Sequence, residues 1–424
     1  MNTVNKDPAF RLEQLKKSSG YIHGLLKNGD IYNWAWEREN IFRSFDLTEF
    51  WQDIQEITQQ ADSCRDLLLC YRRFKQRHVV RIAARELFEL DSFTDTTAQL
   101  SYLAQVCLQS GMNVLKEHPS WWMDENSDHE QVLEYLSELT VLAMGRLAGY
   151  EMDYVSEVSL ICLHNLGSRK ELSGKKQERQ EYLHLFVRYL VGMLHDFEQG
   201  ERVFPVDLRL RPDDQNGESI PYVHKALNYY QIYGPPRERK YFVKSRPVAG
   251  NKRLGEYFLH ELQPFVFQVF SDAQIINDIR DRRDNILRQQ NYPDKSESYD
   301  VRLGKGGLDE LEFMVQVFQL LYGGYYKSLQ HSNTLTALDK LLEMELISFK
   351  QASDLKYAYI FLRRVEHWIQ LQVNNQSGRL PESEQGLKRL AWITGFGEGY
   401  RDFGQEIKFC TSRVQEICAD LLRV

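Results

Sequence analysis

Two β-type stretches joined across a glycine turn stand in a chain that otherwise reads as helix, and this break in texture constrains the fold more than any other feature. VLAM (141–144) runs into GRLAG (145–149), and YVSEVSLICLH (154–164) follows, β-branched and apolar enough for a buried strand. Further on, VFPVDLRLRP (203–212) alternates. Val206, Leu208 and Leu210 point one way, Asp207, Arg209 and Arg211 the other, and Pro212 ends the run. The pattern predicts that Val141–Met144, Tyr154–Leu163 and Phe204–Arg211 pair in one small sheet. Glu157, Ser159 and Asp207 would then share an edge beside the Gly145 turn.

Helical patterning surrounds these strands. Residues 8 to 137 read as helices, with LSYLAQVCLQSGMNVL (100–115) repeating apolar positions at helical period. HPSWWMDENSDHE (118–130) breaks the pattern with Pro119 and an acidic cluster. A further helix is expected from about Gln177 to Glu198. After the turn-rich DDQNGES (213–219) the chain returns to helix nearly to its end, interrupted at NYPDKSESYD (291–300) and at the glycines of LGKGG (303–307). The expected architecture is α+β: a helical region over 1–137, a small α/β core over 138–260 and a second helical region over 261–424. No Gly/Ser-rich or Pro-rich linker separates them, so they are expected to pack as one body.

The composition fits a folded chain, with 42% hydrophobic and 27% charged residues among 424. A net charge of −7 argues against a nucleic-acid coat protein or a polybasic membrane binder. The six cysteines form no CxxC pair, which points to buried thiols and not to disulfides or zinc. The opening MNTVNKDPAF has neither a charged n-region nor an apolar h-region, and the longest uncharged run, Thr96 to Leu115, is too polar to span a bilayer. A cytoplasmic protein, away from membrane and nucleic acid, is the expectation.

A glycine turn lets backbone N–H groups approach phosphate, and acids two apart on one strand hold a divalent metal, an arrangement common in nucleotidyl transfer. AMGRLAGYEMDYVSEVSLI resembles the glycine-turn and Asp-x-Asp segment of the glutamine synthetase adenylyltransferase/adenylyl-removing enzyme family, and FPVDLRLRP resembles its third-carboxylate strand. YRRFKQRHVVRIA, RERKYFVKSR, PFVFQVF, LGKGGLDELEFMVQVFQL and YAYIFLRRVEH fall in the family's order, so the resemblance covers nearly the whole chain. It implies a nucleotidyltransferase-type sheet, Mg²⁺, adenine nucleotide and phosphate as substrates or ligands, glutamine synthetase as protein target and the PII signal protein as a regulatory partner. The family's enzymes are longer, with two related halves. FMVQVFQL with its preceding glycines resembles the N-terminal half, which removes AMP from a modified tyrosine, and this chain is expected to be that half alone.

On the same resemblance, Glu157 and Asp207 are the catalytic, metal-holding carboxylates. Gly145, Arg146, Gly149, Ser156, Ser159, Arg209, Arg211, Lys244 and Arg246 are candidates for meeting nucleotide and phosphate. The metal strand departs from the family's Ser-Asp-Ile-Asp, reading Ser156-Glu157-Val158-Ser159. Two carboxylates suffice for one Mg²⁺ completed by waters, whereas a two-metal clamp needs more negative charge. The family's Gly-Gly-Ile-Arg-Glu reads Gly306-Gly307-Leu308-Asp309-Glu310, and its Gly-Lys-Leu-Gly-Gly turn carries Arg146 and Ala148. Weak or lost catalysis is the expectation, and a non-catalytic nucleotide- or protein-binding module of the same fold is the alternative. Blander roles stand beside these: Glu157 as a solvated group, Asp207 in an ion-pair ladder with Arg209 and Arg211, Glu310 and Glu312 pairing along a helix. The pairs Trp121-Trp122 and Tyr325-Tyr326 read as packing or surface groups.

Overall fold

The computed structural model describes residues 8–125, 127–166, 176–195, 202–212, 218–267, 298–373, 377–397 and 399–422. Its centre is a four-stranded sheet of order β3-β2-β1-β4, formed by β1 (Leu139–Met144), β2 (Val158–His164), β3 (Val206–Asp207) and β4 (Ser245–Gly250). β1 pairs antiparallel with both β2 and β4, and β3 runs parallel to β2. The two central strands are apolar on both faces because both faces are covered. Val141, Ala143, Leu160 and Cys162 face the larger core, while Leu142, Met144, Ile161 and Leu163 face a smaller one under the helices Val223–Ile232 and Lys252–Val266.

The sheet differs from the sequence expectation in three places, each with a local cause. β2 begins at Val158 and not at Tyr154, because Asp153 and Ser156 fold the preceding residues into a turn. The Asp153 N–H donates to Ser156 Oγ at 2.9 Å, and Asp153 Oδ1 accepts from the Val155 N–H at 3.1 Å. β3 keeps two residues of the expected eight, because the Arg209 N–H turns back to Asp207 Oδ1 at 2.9 Å and leaves the ladder. β4 lies where helix was expected. Its Pro247 reads as a strand breaker, but β4 is an edge strand, and a register shift falls beside that proline, between Val141 and Leu142.

Helices wrap the sheet on the N-terminal and C-terminal sides. Cys64–Leu87 and Phe93–Glu117 start at serine caps, and Ser92 with Asp95 closes a reciprocal capping box. Phe349–Val373 and Tyr400–Leu421 carry the C-terminal side. The larger core runs without interruption from Leu15 to Cys418 and takes in β1 and β2 on the way, so the described helical regions and the sheet share one interior. The expected interruption at LGKGG is a turn, while most of 291–300 and residues 213–217 lie outside the described residues. Trp122 is buried with its Nε1 donating to the Leu115 carbonyl, Trp121 stacks on His118, and Tyr325 and Tyr326 are exposed. All six cysteines are free thiols, four of them buried. No helix among the described residues is long and apolar enough to cross a membrane.

Candidate active site

The acidic edge is built on the two-rung ladder between β2 and β3, where Val158 pairs with Val206 and Ser159 with Asp207. Registered partners in a parallel pair project to the same face, so the Ser159 hydroxyl and the Asp207 carboxylate stand side by side. Alternation along β2 puts Ser159 on the face that Ile161 and Leu163 share with the smaller core. Glu157 immediately precedes the first rung, and its charge acts on the ring of His195, whose Nδ1 accepts the Val206 N–H at 2.9 Å. Burial and the nearby Arg202 hold that imidazole below its ordinary pKa, with Glu157 working the other way.

Both Asp207 oxygens are engaged. Arg209 Nε meets Oδ1 at 2.8 Å and Nη2 meets Oδ2 at 3.0 Å, a forked pair with its own i+2 neighbour. Partial burial pushes the Asp207 carboxyl up, and the Arg209 hydrogen bonds outweigh that and hold it below the usual carboxylate range. Arg211 lines a cavity of about 290 Å³ against the open flank of β2, together with Leu160, Ile161 and Leu208. The oxygens of Ser159 and Asp207, neighbours across the ladder, are hard donors of the kind Mg²⁺ takes. Among the described residues, no group of three or more His, Cys, Asp or Glu side chains is arranged to hold a metal.

The glycine turn follows β1 directly. Gly145 has φ +58, and its N–H donates to the Lys244 carbonyl at 2.9 Å; the space over its Cα is open, so backbone conformation and not crowding calls for glycine there. At Gly149 the reason is crowding: a Cβ would lie 2.7 Å from the Ser332 carbonyl oxygen. Ala148 is fully buried, and its carbonyl accepts from Arg246 Nε at 3.1 Å.

The basic candidates around this turn are drawn into the protein interior. Arg146 pairs with Asp153, approaches Glu366 to 3.3 Å and lies 4.0 Å from Glu312. Lys244 is buried, donating to Glu151 Oε2 at 2.5 Å and to Thr334 Oγ1 at 2.7 Å. Arg246 donates to the carbonyls of Leu147 and Ala148 and to Gln105 Oε1, and lies 3.9 Å over the Tyr150 ring. Fully buried Arg363 completes the cluster, 3.0 Å from Glu366, 3.7 Å from Asp153 and donating to the Glu151 carbonyl. Burial pushes the Asp153 carboxyl up, but Arg146 and Arg363 overturn that and hold it well below the carboxylate range.

Glu151, Asp153, Arg363 and Glu366 are site-shaping residues that sequence reasoning passed over, although each sits inside a quoted block. Charges set among apolar neighbours, as in YEMDY and LRRVEH, were the available signal. Glu312 belongs to the same cluster through Arg146, while Glu310 accepts the Gly306 N–H at 2.8 Å. Asp309, where the family pattern has arginine, pairs with Arg302 at 3.2 Å.

A small mixed sheet carrying a glycine turn, set among helices, is an α+β fold of nucleotidyltransferase type. The family model of glutamate-ammonia ligase adenylyltransferase matches residues 11–261, and that of PII-uridylyltransferase matches residues 279–422. A bifunctional glutamine synthetase adenylyltransferase/adenylyl-removing enzyme of Nitrosococcus oceani is 31% identical over 385 residues, which is 89% of this chain and 38% of that protein. Similarly named enzymes of Hahella chejuensis and Rhizobium meliloti are each 32% identical, over 82% and 78% of this chain and 36% and 34% of theirs. The chain belongs to the glutamate-ammonia ligase adenylyltransferase family, and it spans little more than a third of the length of these relatives.

Proposed function

We propose that this chain is a cytoplasmic adenylyl-removing half of the glutamine synthetase adenylyltransferase type, acting weakly on an AMP-bearing tyrosine with phosphate and Mg²⁺. The observation that carries the reading is the register of Ser159 with Asp207, which sets the altered position of the metal strand directly beside its remaining aspartate. Glu157 and Asp207 would hold the ion, which when bound supplies charge neutralisation at the phosphoryl oxygens. Arg209 and Arg211 would orient the phosphate groups as guanidinium forks. Phosphate oxygen attacks the phosphorus of AMP, the tyrosine oxygen leaves, and ADP and free tyrosine result. Glutamine synthetase as target is supported by the names of the relatives, and the PII signal protein as regulator by the sequence resemblance alone.

With one ligand lost and one lengthened, turnover is expected roughly a thousandfold or more below that of an intact Asp-x-Asp member. The test is release of ADP from adenylylated glutamine synthetase by the natural chain and by the Glu157→Asp/Ser159→Asp double variant. Recovered turnover in the double variant supports the reading, and full activity in the natural chain overturns the expectation of weakness. A second reading, a silent nucleotide- or protein-binding module, is favoured by Arg146 and Lys244, whose charges are met by buried carboxylates. Silence in both chains with nucleotide binding retained would select it.

A further inference from the structure

We infer that Arg209 is a latch on the candidate metal site, holding Asp207 until a phosphate group draws its guanidinium away. The inference rests on the reading of Asp207 as a metal ligand and adds an order of events to it. The fork engages both carboxylate oxygens, at 2.8 and 3.0 Å, and sets a positive charge against them, so a cation must compete with Arg209 for Asp207. The two partners differ in freedom: the Arg209 side chain is 79% exposed and that of Asp207 11%, so the pair opens by movement of the arginine into solvent while the acid stays in place. The Arg209 N–H, 2.9 Å from Oδ1, keeps the carboxylate oriented after the side chain has gone.

Guanidinium forks match phosphate as well as they match carboxylate, so an incoming phosphate competes for Arg209 on equal terms. Ser159, the registered neighbour of Asp207, brings no charge, and half of the negative charge of this edge is therefore under the latch. By linkage, phosphate promotes metal binding and metal promotes phosphate binding.

The test titrates Mn²⁺, as a paramagnetic stand-in for Mg²⁺, into the full chain with and without inorganic phosphate, read by electron paramagnetic resonance. Arg209→Gln is expected to bind Mn²⁺ about three- to tenfold more tightly than the natural chain in the absence of phosphate, in line with a forked but largely solvated pair. Phosphate should tighten Mn²⁺ binding more in the natural chain than in Arg209→Gln. Arg209→Lys, which keeps the charge and loses the fork, should fall between. Equal Mn²⁺ affinity in the natural chain and Arg209→Gln overturns the latch. Asp207→Asn separates the levels: if it loses Mn²⁺ while Arg209→Gln changes nothing, the latch alone fails. If it binds as the natural chain does, or if no variant binds Mn²⁺, the metal site fails and the latch with it.

Discussion

At the β2–β3 edge, Asp207 is held by a residue two positions along the chain whose side chain is largely in water. Behind the glycine turn, Arg146 reaches Glu366, 220 residues away, in a largely buried cluster. The first arrangement is local and exposed, and such pairs contribute little to stability. The second joins the sheet to the C-terminal helices, and removing one member strands a buried charge. The Arg209–Asp207 pair can change at little cost to the fold, whereas the acids behind the turn are tied to the architecture.

The strongest way to break this comparison is Arg363→Met, which leaves Asp153 and Glu366 short of a partner. It should cost about 3–5 kcal/mol in urea denaturation, the range for a broken buried pair. A loss no larger than that of a surface pair would erase the distinction.

A second buried cluster sharpens the contrast through pH. His78 is fully buried among Trp34, Phe45, Phe50 and Phe74, with Nε2 2.6 Å from Asp53 and Nδ1 accepting from Arg81 Nε, so the ring is neutral. Burial drives its pKa down to about 3, against about 6.5 in the unfolded chain. The unfolded state then takes up the proton first. Stability from this group is complete above pH 6.5 and is lost as pH falls towards 3, at about 1.4 kcal/mol per pH unit. Melting temperatures measured from pH 7 down to pH 4 should fall steadily, and less steeply in His78→Gln; identical profiles would contradict the neutral ring. The smallest effect belongs to the exposed edge: Asp207→Asn should shift stability by no more than about 1 kcal/mol while removing metal binding.

β1 and β2 were legible because a strand covered on both faces spells its burial in apolar, β-branched residues, and Gly145 was legible as the turn between them. The length of β3 was not, since a single side-chain-to-backbone bond, Asp207 to the Arg209 N–H, ends the ladder where the alternation continues to Arg211. β4 was hidden by Pro247, whose missing donor an edge strand tolerates. Of the site, the neighbourhood of Ser159 and Asp207 followed from period-two alternation. The pairing of Arg146 with Glu366 and of Lys244 with Thr334 did not, because these partners are distant in sequence and no local pattern joins them.

The buried cluster behind the glycine turn also lies on the seam between two inherited pieces. Arg146, Glu151, Asp153 and Lys244 belong to the segment matched by one family model, and Glu312, Thr334, Arg363 and Glu366 to the segment matched by the other. A hybrid joining the first segment of this chain to the second segment of a relative would therefore succeed or fail on charge parity across that seam. The two pieces are joined by paired buried charges, so in this chain each completes the electrostatics of the other.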